Sequence, residues 1–205
     1  MKKILVAFAT NSGSTADVAR TVADELGKDG AQVDVLRVEQ VTDLEAYDAV
    51  VLGAPMIVGW HRAAVKFLKK HQAELRRVPL AYFITARSLT RTEETSVDGI
   101  PIRVDPDLAK APANLQHLSL RERYARVENY LRPALKAAPR LRPVSVAFFN
   151  GRLDLFGMIW WQMLFVLLVI QAKPGGTHNL PFIREWAASL RPTLSDVRTA
   201  STPSG

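Results

Sequence analysis

The chain has 205 residues, 48% of them hydrophobic, which suffices for one substantial core and is short for two complete domains. It has no cysteine, which excludes a disulfide framework, thiolate chemistry and a cysteine-ligated metal; its four histidines, His61, His71, His117 and His178, lie too far apart for a local metal motif, so no metal site is expected. A formal charge of +7 favours anionic ligands, nucleic acid or acidic lipid headgroups, without choosing among them.

The opening MKKILVAFAT is basic, but its apolar stretch is short and is followed by a polar turn instead of a cleavage site, so a cytoplasmic protein is expected. Ile4 to Ala9 is a continuous apolar run, the pattern of a parallel strand covered on both faces. Thr10 to Thr15, TNSGST, is a run of hydroxyls, an amide and one glycine. Ala19, Val22, Ala23 and Leu26 then recur with helical spacing, and Gly27 and Gly30 offer a stop. Val33, Val35 and Val38 mark a half-exposed strand nearer an edge. Ala49 to Gly53, Leu80 to Thr85 and Val144 to Phe149 are further buried strands, and Ala64, Phe67, Leu68 and Leu75 mark a helix before Pro79. Strand and helix segments alternate, which predicts an α/β fold with a doubly wound parallel sheet.

That architecture puts ATNSGSTADVA, from Ala9 to Ala19, beyond the carboxyl end of the first strand and at the amino end of the first helix. Open α/β sheets bind ligands there, and the helix dipole favours an anion. Ser14 with Asp17 three residues on also fits a capping box, so the stretch reads as a cap, an anion cradle or both. It has no lysine for a Walker loop, and only Gly13 where a dinucleotide fingerprint needs three glycines.

The remaining pattern, T-x-S-G-x-T after the first strand, resembles the phosphate loop of flavodoxins. YDAVVLGAPMIVGWHRAAVKFLKKH, Tyr47 to His71, is similar to the third strand, flavin loop and following helix of the branch containing menaquinone-dependent protoporphyrinogen dehydrogenases; AFFNGRLDLFG and KPGGTHNLPFIREWAASL are similar to that branch's closing segments. The resemblance implies a five-stranded flavodoxin-like sheet of order 2-1-3-4-5, a domain over residues 1–191, and flavin mononucleotide (FMN) as cofactor. It implies that Thr10, Asn11, Ser12, Gly13, Ser14 and Thr15 hold the phosphate. Ala54, Pro55, Met56, Ile57, Val58, Gly59 and Trp60 would flank the ring system, with Thr85, Ala86, Arg87 and Ser88 as a third wall. Pro55 ends its strand, and Gly59 lets the backbone turn close to a ring. Trp60 either stacks on flavin or staples the next helix. Arg87 either offers a cation to reduced flavin or a substrate carboxylate, or is a solvated surface arginine. His61 is read as a surface residue, and no catalytic residue is assigned.

Arg87 to His117 is longer than that branch leads one to expect, and reads as an insertion after the fourth strand. Asp98-Gly99 within it predicts a hairpin, and the insertion either closes over the flavin or is a flexible excursion with no role. Arg87 to Arg142 holds eleven Lys/Arg against seven Asp/Glu; SLRERYARVENYLRPAL is read as one helix, with Arg121, Arg123 and Arg126 on a basic flank that faces a propionate-bearing substrate, lipid headgroups or only solvent. Leu155 to Ala172 is uncharged over eighteen residues. Gly157 shortens any clean helix to about residues 157–172, and a non-spanning helix is expected, apolar all round, that meets a lipid interface, another subunit or the insertion. Residues 192–205 are polar and small, and are read as a disordered tail.

The expected function is that of an FMN-dependent oxidoreductase resembling protoporphyrinogen oxidases that pass electrons to menaquinone. A flavodoxin-type electron carrier and an NAD(P)H:quinone reductase are the alternatives. The expected partner is a small redox substrate, porphyrinogen or quinone, with peripheral membrane contact or self-association through 155–172 and no nucleic acid.

Overall fold

In a computed structural model, residues 1–11, 13–56, 59–91, 94–114, 117–151 and 178–195 are described. In chain order the elements are β1 (Lys3–Phe8), α1 (Ser14–Leu26), a 3-10 turn (Gly27–Asp29), β2 (Gln32–Arg37), β3 (Ala49–Pro55), α2 (Arg62–Lys70), α3 (Gln72–Leu75), β4 (Leu80–Ala86), β5 (Leu89–Thr90), β6 (Ser96–Val97), β7 (Ile100–Val104), β8 (Ala109–Lys110), α4 (Leu120–Tyr124), α5 (Val127–Ala137), β9 (Ser145–Asn150) and α6 (Leu180–Ser195).

The main sheet runs β2-β1-β3-β4-β9-β7-β6. Its first five members are parallel and follow the expected 2-1-3-4-5 order, but the sheet has seven strands, not five. The two extra strands come from the insertion. Asp98 and Gly99 both take positive φ, 50° and 76°, the twist that a two-residue hairpin turn needs, and they join β6 to β7 antiparallel. β7 then pairs in parallel with β9, Ile102 opposite Val146. The hairpin therefore extends the sheet edge and does not close over the ligand end. Exposed Pro101 and Arg103 alternate with buried Ile100 and Ile102, so one face of β7 is buried, as suits an added edge.

Two apolar layers cover the sheet. Leu5, Ala7, Val50, Leu52, Tyr82, Ile84 and Phe148 face α2, α3 and α5. Ile4, Val6, Phe8, Val51, Phe83 and Phe149 face α1 and α6, where Trp186 is fully buried and donates its indole N–H to Ser145 at 3.0 Å. The layers fit closely at Gly53, where a Cβ would lie 1.8 Å from Cζ of Phe83 in the neighbouring strand.

Three helix expectations change. The helix before Pro79 breaks at His71 into α2 and α3, and SLRERYARVENYLRPAL breaks at Ala125–Arg126 into α4 and α5. Ser119 and Glu122 form a reciprocal capping box that starts α4. The last helix continues through Arg191–Pro192 to Ser195, so the tail expected from 192 begins no earlier than 196, where the described residues end. Arg191 pairs with Glu25 and Asp29, and Lys2 donates to the Leu194 carbonyl, which holds this last turn against α1 and the chain start. Among the described residues no helix is long and apolar enough to cross a membrane. The expected apolar helix within 155–172 lies outside the described residues.

Candidate functional site

The strand order reverses between β1 and β3, and ligands of open α/β sheets sit beyond the carboxyl ends of strands at such a point. The described residues of three expected segments lie there: those of Thr10 to Thr15 after β1, those of Ala54 to Trp60 around the end of β3, and Thr85 to Ser88 at the end of β4. Their backbones are bonded in sequence: Ala9 N–H donates to the Gly53 carbonyl at 2.9 Å, Met56 N–H to the Thr85 carbonyl at 2.9 Å, and Gly151 N–H to the Ala86 carbonyl at 2.7 Å.

The phosphate-type loop is not a capping box. The N-cap of α1 is Gly13, with no side-chain cap bond, and Ser14 is already helical; Asp17 instead pairs with Arg20 on the surface at 3.1 Å. Gly13 holds φ at 90°, a conformation that glycine takes without strain, and its N–H donates to the Thr10 hydroxyl at 2.9 Å. The amino end of a helix favours an anion, and the stretch from Thr10 to Ala16 carries hydroxyls and no carboxylate. This donor set suits a phosphomonoester. Thr15 is turned inward, 1% exposed, with its hydroxyl 3.0 Å from that of Thr85, so it joins the loop to the β4 wall.

Two histidines bracket the loop. His61, expected at the surface, is the N-cap of α2: Ala63 N–H donates to its Nδ1 at 3.2 Å, which leaves Nε2–H to donate to Oδ1 of Asn11 at 2.9 Å. Burial holds this imidazole below the ordinary histidine range, consistent with a neutral ring that positions Asn11. On the other side, His178 places Nε2 3.4 Å from the Ser14 hydroxyl and Nδ1 2.9 Å from the Asn150 carbonyl.

The β3 loop is walled by residues from beyond the insertion. Gly59, with φ 86°, donates its N–H to the Tyr124 hydroxyl at 3.2 Å, so α4 reaches over this loop where the hairpin does not. Trp60 is 4% exposed and tilted against Tyr82 with ring centroids 5.6 Å apart. Arg87 is no solvated surface arginine. Its Nη1 donates to the Gly151 carbonyl at 3.1 Å, and burial lowers its pKa. Ser88 lines a separate 320 Å³ cavity with Thr90, Lys110 and Arg121. Ser12, Ile57 and Val58 lie outside the described residues.

Cavity size alone would mislead here. A 310 Å³ cavity lined by Lys2, Asp48, Glu74 and Pro79 lies at the amino ends of the strands, opposite the loop, and a 540 Å³ groove separates the hairpin from α5. Neither gathers groups suited to one reaction.

Asp105 is a site-supporting residue that the sequence does not advertise. It is fully buried and accepts from Asn150 N–H at 3.2 Å, Asp107 N–H at 2.9 Å and the Asn179 amide at 3.1 Å. It thus anchors both the end of β9 and the residue after His178.

A family profile of the Flavodoxin domain matches residues 5–179. The chain belongs to the Flavodoxin domain family. Over 101 residues it is 35% identical to protoporphyrinogen IX dehydrogenase [quinone] of Escherichia coli strain K12, a match covering 46% of this chain and 56% of that one; the chain thus spans about half the length of this curated relative. Flavodoxin 1 of the same strain is 40% identical over 48 residues, 23% of this chain and 27% of that one. Among solved structures, a flavodoxin from the domain Archaea covers 94% of the chain and is itself covered to 98%, with a TM-score of 0.50 and 11% identity, a likeness of fold. The β1/β3 reversal in this flavodoxin domain therefore falls where the ligand-site rule puts it, a rule for which flavodoxin is itself an example.

Proposed function

We propose that this flavodoxin domain is an FMN-dependent oxidoreductase that takes electrons from a porphyrinogen and delivers them to a quinone. The observation that carries the cofactor half is the hydroxyl loop: Gly13 in its left-handed conformation, the Thr10 hydroxyl on its N–H, and the amino end of α1 behind them, with no lysine and no carboxylate in the loop. When bound, the flavin supplies the redox chemistry. The chain supplies position. Thr10, Asn11, Ser12, Gly13 and Ser14 would hold the phosphate, while the Thr15–Thr85 hydroxyl pair fixes the distance between the loop and the β4 wall. Ala54 to Trp60 and Thr85 to Ser88 would flank the rings, Trp60 from beneath as core support, with Arg87 as the cation at that wall.

The substrate half is supported by the 35% identity over 101 residues to the E. coli dehydrogenase. The walling of the Gly59 loop by Tyr124 also fits a protein that shapes access for a substrate. A membrane quinone would be met through the uncharged segment 155–172, with Trp160 and Trp161 as the residues to change to charged ones in liposome flotation.

The test is anaerobic incubation of the FMN-loaded protein with protoporphyrinogen IX and a water-soluble menaquinone analogue. Porphyrin fluorescence should rise only when protein and quinone are both present. Quinone reduction driven by NAD(P)H, with no porphyrin formed, would instead make it a quinone reductase. Turnover of neither donor, with rapid electron exchange with redox proteins, would make it a carrier.

A further inference from the structure

The 320 Å³ cavity that Ser88 lines borders the proposed flavin site on two sides. Ser88 ends the segment from Thr85 that would flank the rings. Across the cavity, α4 contributes Arg121 and Glu122 to its lining, and the same helix places the Tyr124 hydroxyl 3.2 Å from Gly59 N–H in the β3 loop. One short helix thus borders both the ring loop and the cavity.

The cavity is built on a hydrogen-bonded floor. Leu89 and Thr90 of β5 pair in parallel with Ala109 and Lys110 of β8, Thr90 N–H donates to the Ala125 carbonyl at 2.8 Å, and the Thr90 hydroxyl donates to the Glu122 carbonyl at 2.7 Å. Leu89, Thr90 and Ala125 are buried, while Lys110 and Arg121 stand exposed above them. The one acidic lining residue, Glu122, is already engaged. Its Oε1 accepts from Ala113 N–H at 2.7 Å, and its Oε2 accepts from Ser119 N–H at 2.7 Å and the Ser119 hydroxyl at 2.6 Å. Neither Lys110 nor Arg121 forms an ion pair between described residues, whereas Arg126 on the same flank is paired with Glu94 at 3.6 Å. Arg123, two residues beyond Arg121, lies on another face of the helix and does not line the cavity.

Beside these cations α4 also exposes apolar surface. Leu120 and Tyr124 are 78% and 44% exposed, and their spacing of four residues sets them on one face. A pair of cations over a fixed floor, next to an exposed aliphatic and an aromatic side chain, suits an amphiphile with a broad apolar body and carboxylates at its edge. We propose that this cavity is the subsite for the carboxylates of the porphyrinogen: Lys110 and Arg121 receive them, and Leu120 and Tyr124 support the macrocycle. This rests on the flavin and porphyrinogen reading above, and adds where the charged edge of the substrate is held. A quinone carries no such charge and is not held here.

The experiment compares dissociation constants for protoporphyrin IX and its dimethyl ester, by quenching of porphyrin fluorescence, in the full chain and its variants, and measures turnover separately. The two probes share a macrocycle and differ in the charge of the carboxylates, so their ratio reads carboxylate recognition and cancels any general loosening. The natural sequence should prefer the free acid about 20-fold. Lys110→Ala and Arg121→Ala should each lower that preference about 5-fold, and the double variant should abolish it, with ester affinity changed less than about 2-fold. In turnover each change should raise KM for protoporphyrinogen IX about 5-fold and move KM for the menaquinone analogue less than about 2-fold. Arg123→Ala removes the same charge from the same helix outside the cavity, and should leave the ratio as it is. Porphyrinogen turnover with a ratio insensitive to Lys110 and Arg121, or lowered as much by Arg123→Ala, overturns this proposal alone. Failure of the natural sequence to bind either probe or to form porphyrin overturns the porphyrinogen reading and this inference with it.

Discussion

The parallel half of the sheet and the insertion that extends it are built by different forces. In β1, β3 and β4 nearly every residue is buried, with Leu5 and Ile84 packed in one apolar layer and Val51 in the other. The insertion has few such residues. It is pinned by polar groups instead: the fully buried Asp105 with its three donors, and Arg103 paired with Glu185 on α6. Burial is tolerant of small errors in direction and intolerant of errors in volume; a buried polar cluster is the reverse.

The two halves should therefore break differently. The largest effect is expected at Gly53→Ala, whose Cβ would meet the Phe83 ring in the middle of two buried strands; overpacking there should cost about 3 kcal/mol of global stability, read by urea unfolding. Asp105→Ala should cost about 2 kcal/mol by leaving buried donors unpaired, and its mark should be local. Hydrogen exchange should rise at Asn150 and Asp107 while β1 and β3 stay protected. If exchange instead rises evenly across the sheet, the insertion is not a separately pinned region.

The smallest effect is expected at the Tyr47–Asp34 pair beside the sheet edge. The Tyr47 hydroxyl donates to Asp34 at 2.9 Å, and this bond, with Lys3, holds the Asp34 carboxyl below the usual range. Burial and then Asp34 push the Tyr47 phenol up to about 12. A lowered carboxyl pKa contributes stability above its unfolded value, lost as pH falls through the folded one; a raised phenol pKa contributes stability below about 10, lost as pH rises toward 12. Tyr47→Phe should cost about 1 kcal/mol at neutral pH and remove the alkaline decline between those values. A variant that keeps the alkaline decline would show that another group is responsible.

The same contrast explains what the sequence discloses. Strands made by burial carry their own signal, and Ile4 to Ala9, Leu80 to Thr85 and Val144 to Phe149 each fall within a residue or two of the observed strands. Asp98-Gly99 is legible because its turn chemistry is local. That its hairpin joins β9 is not, because pairing with a strand some forty residues later leaves no mark on β7 itself. Asp105 and His178 escape for the same reason: two of the three donors to Asp105 lie 45 and 74 residues away, and the partners of His178 lie 28 and 164 away. VDPD and GGTHNL offer hints only, a turn in one and a polar residue before a helix in the other. At the loop itself, the sequence supports a serine cap and an anion cradle equally. The structure removes the cap by placing Gly13 at the helix start.

Everything proposed for this chain turns on that loop receiving a phosphorylated flavin. The direct measurement is titration of the flavin-free protein with FMN, alongside a Gly13→Val variant that cannot comfortably hold φ near 90°. Saturable one-to-one quenching of flavin fluorescence in the natural sequence, weakened at least about 10-fold in the variant while α1 retains its helical signal, is the predicted result. Absence of saturable binding, or binding that Gly13→Val leaves unchanged, would contradict it.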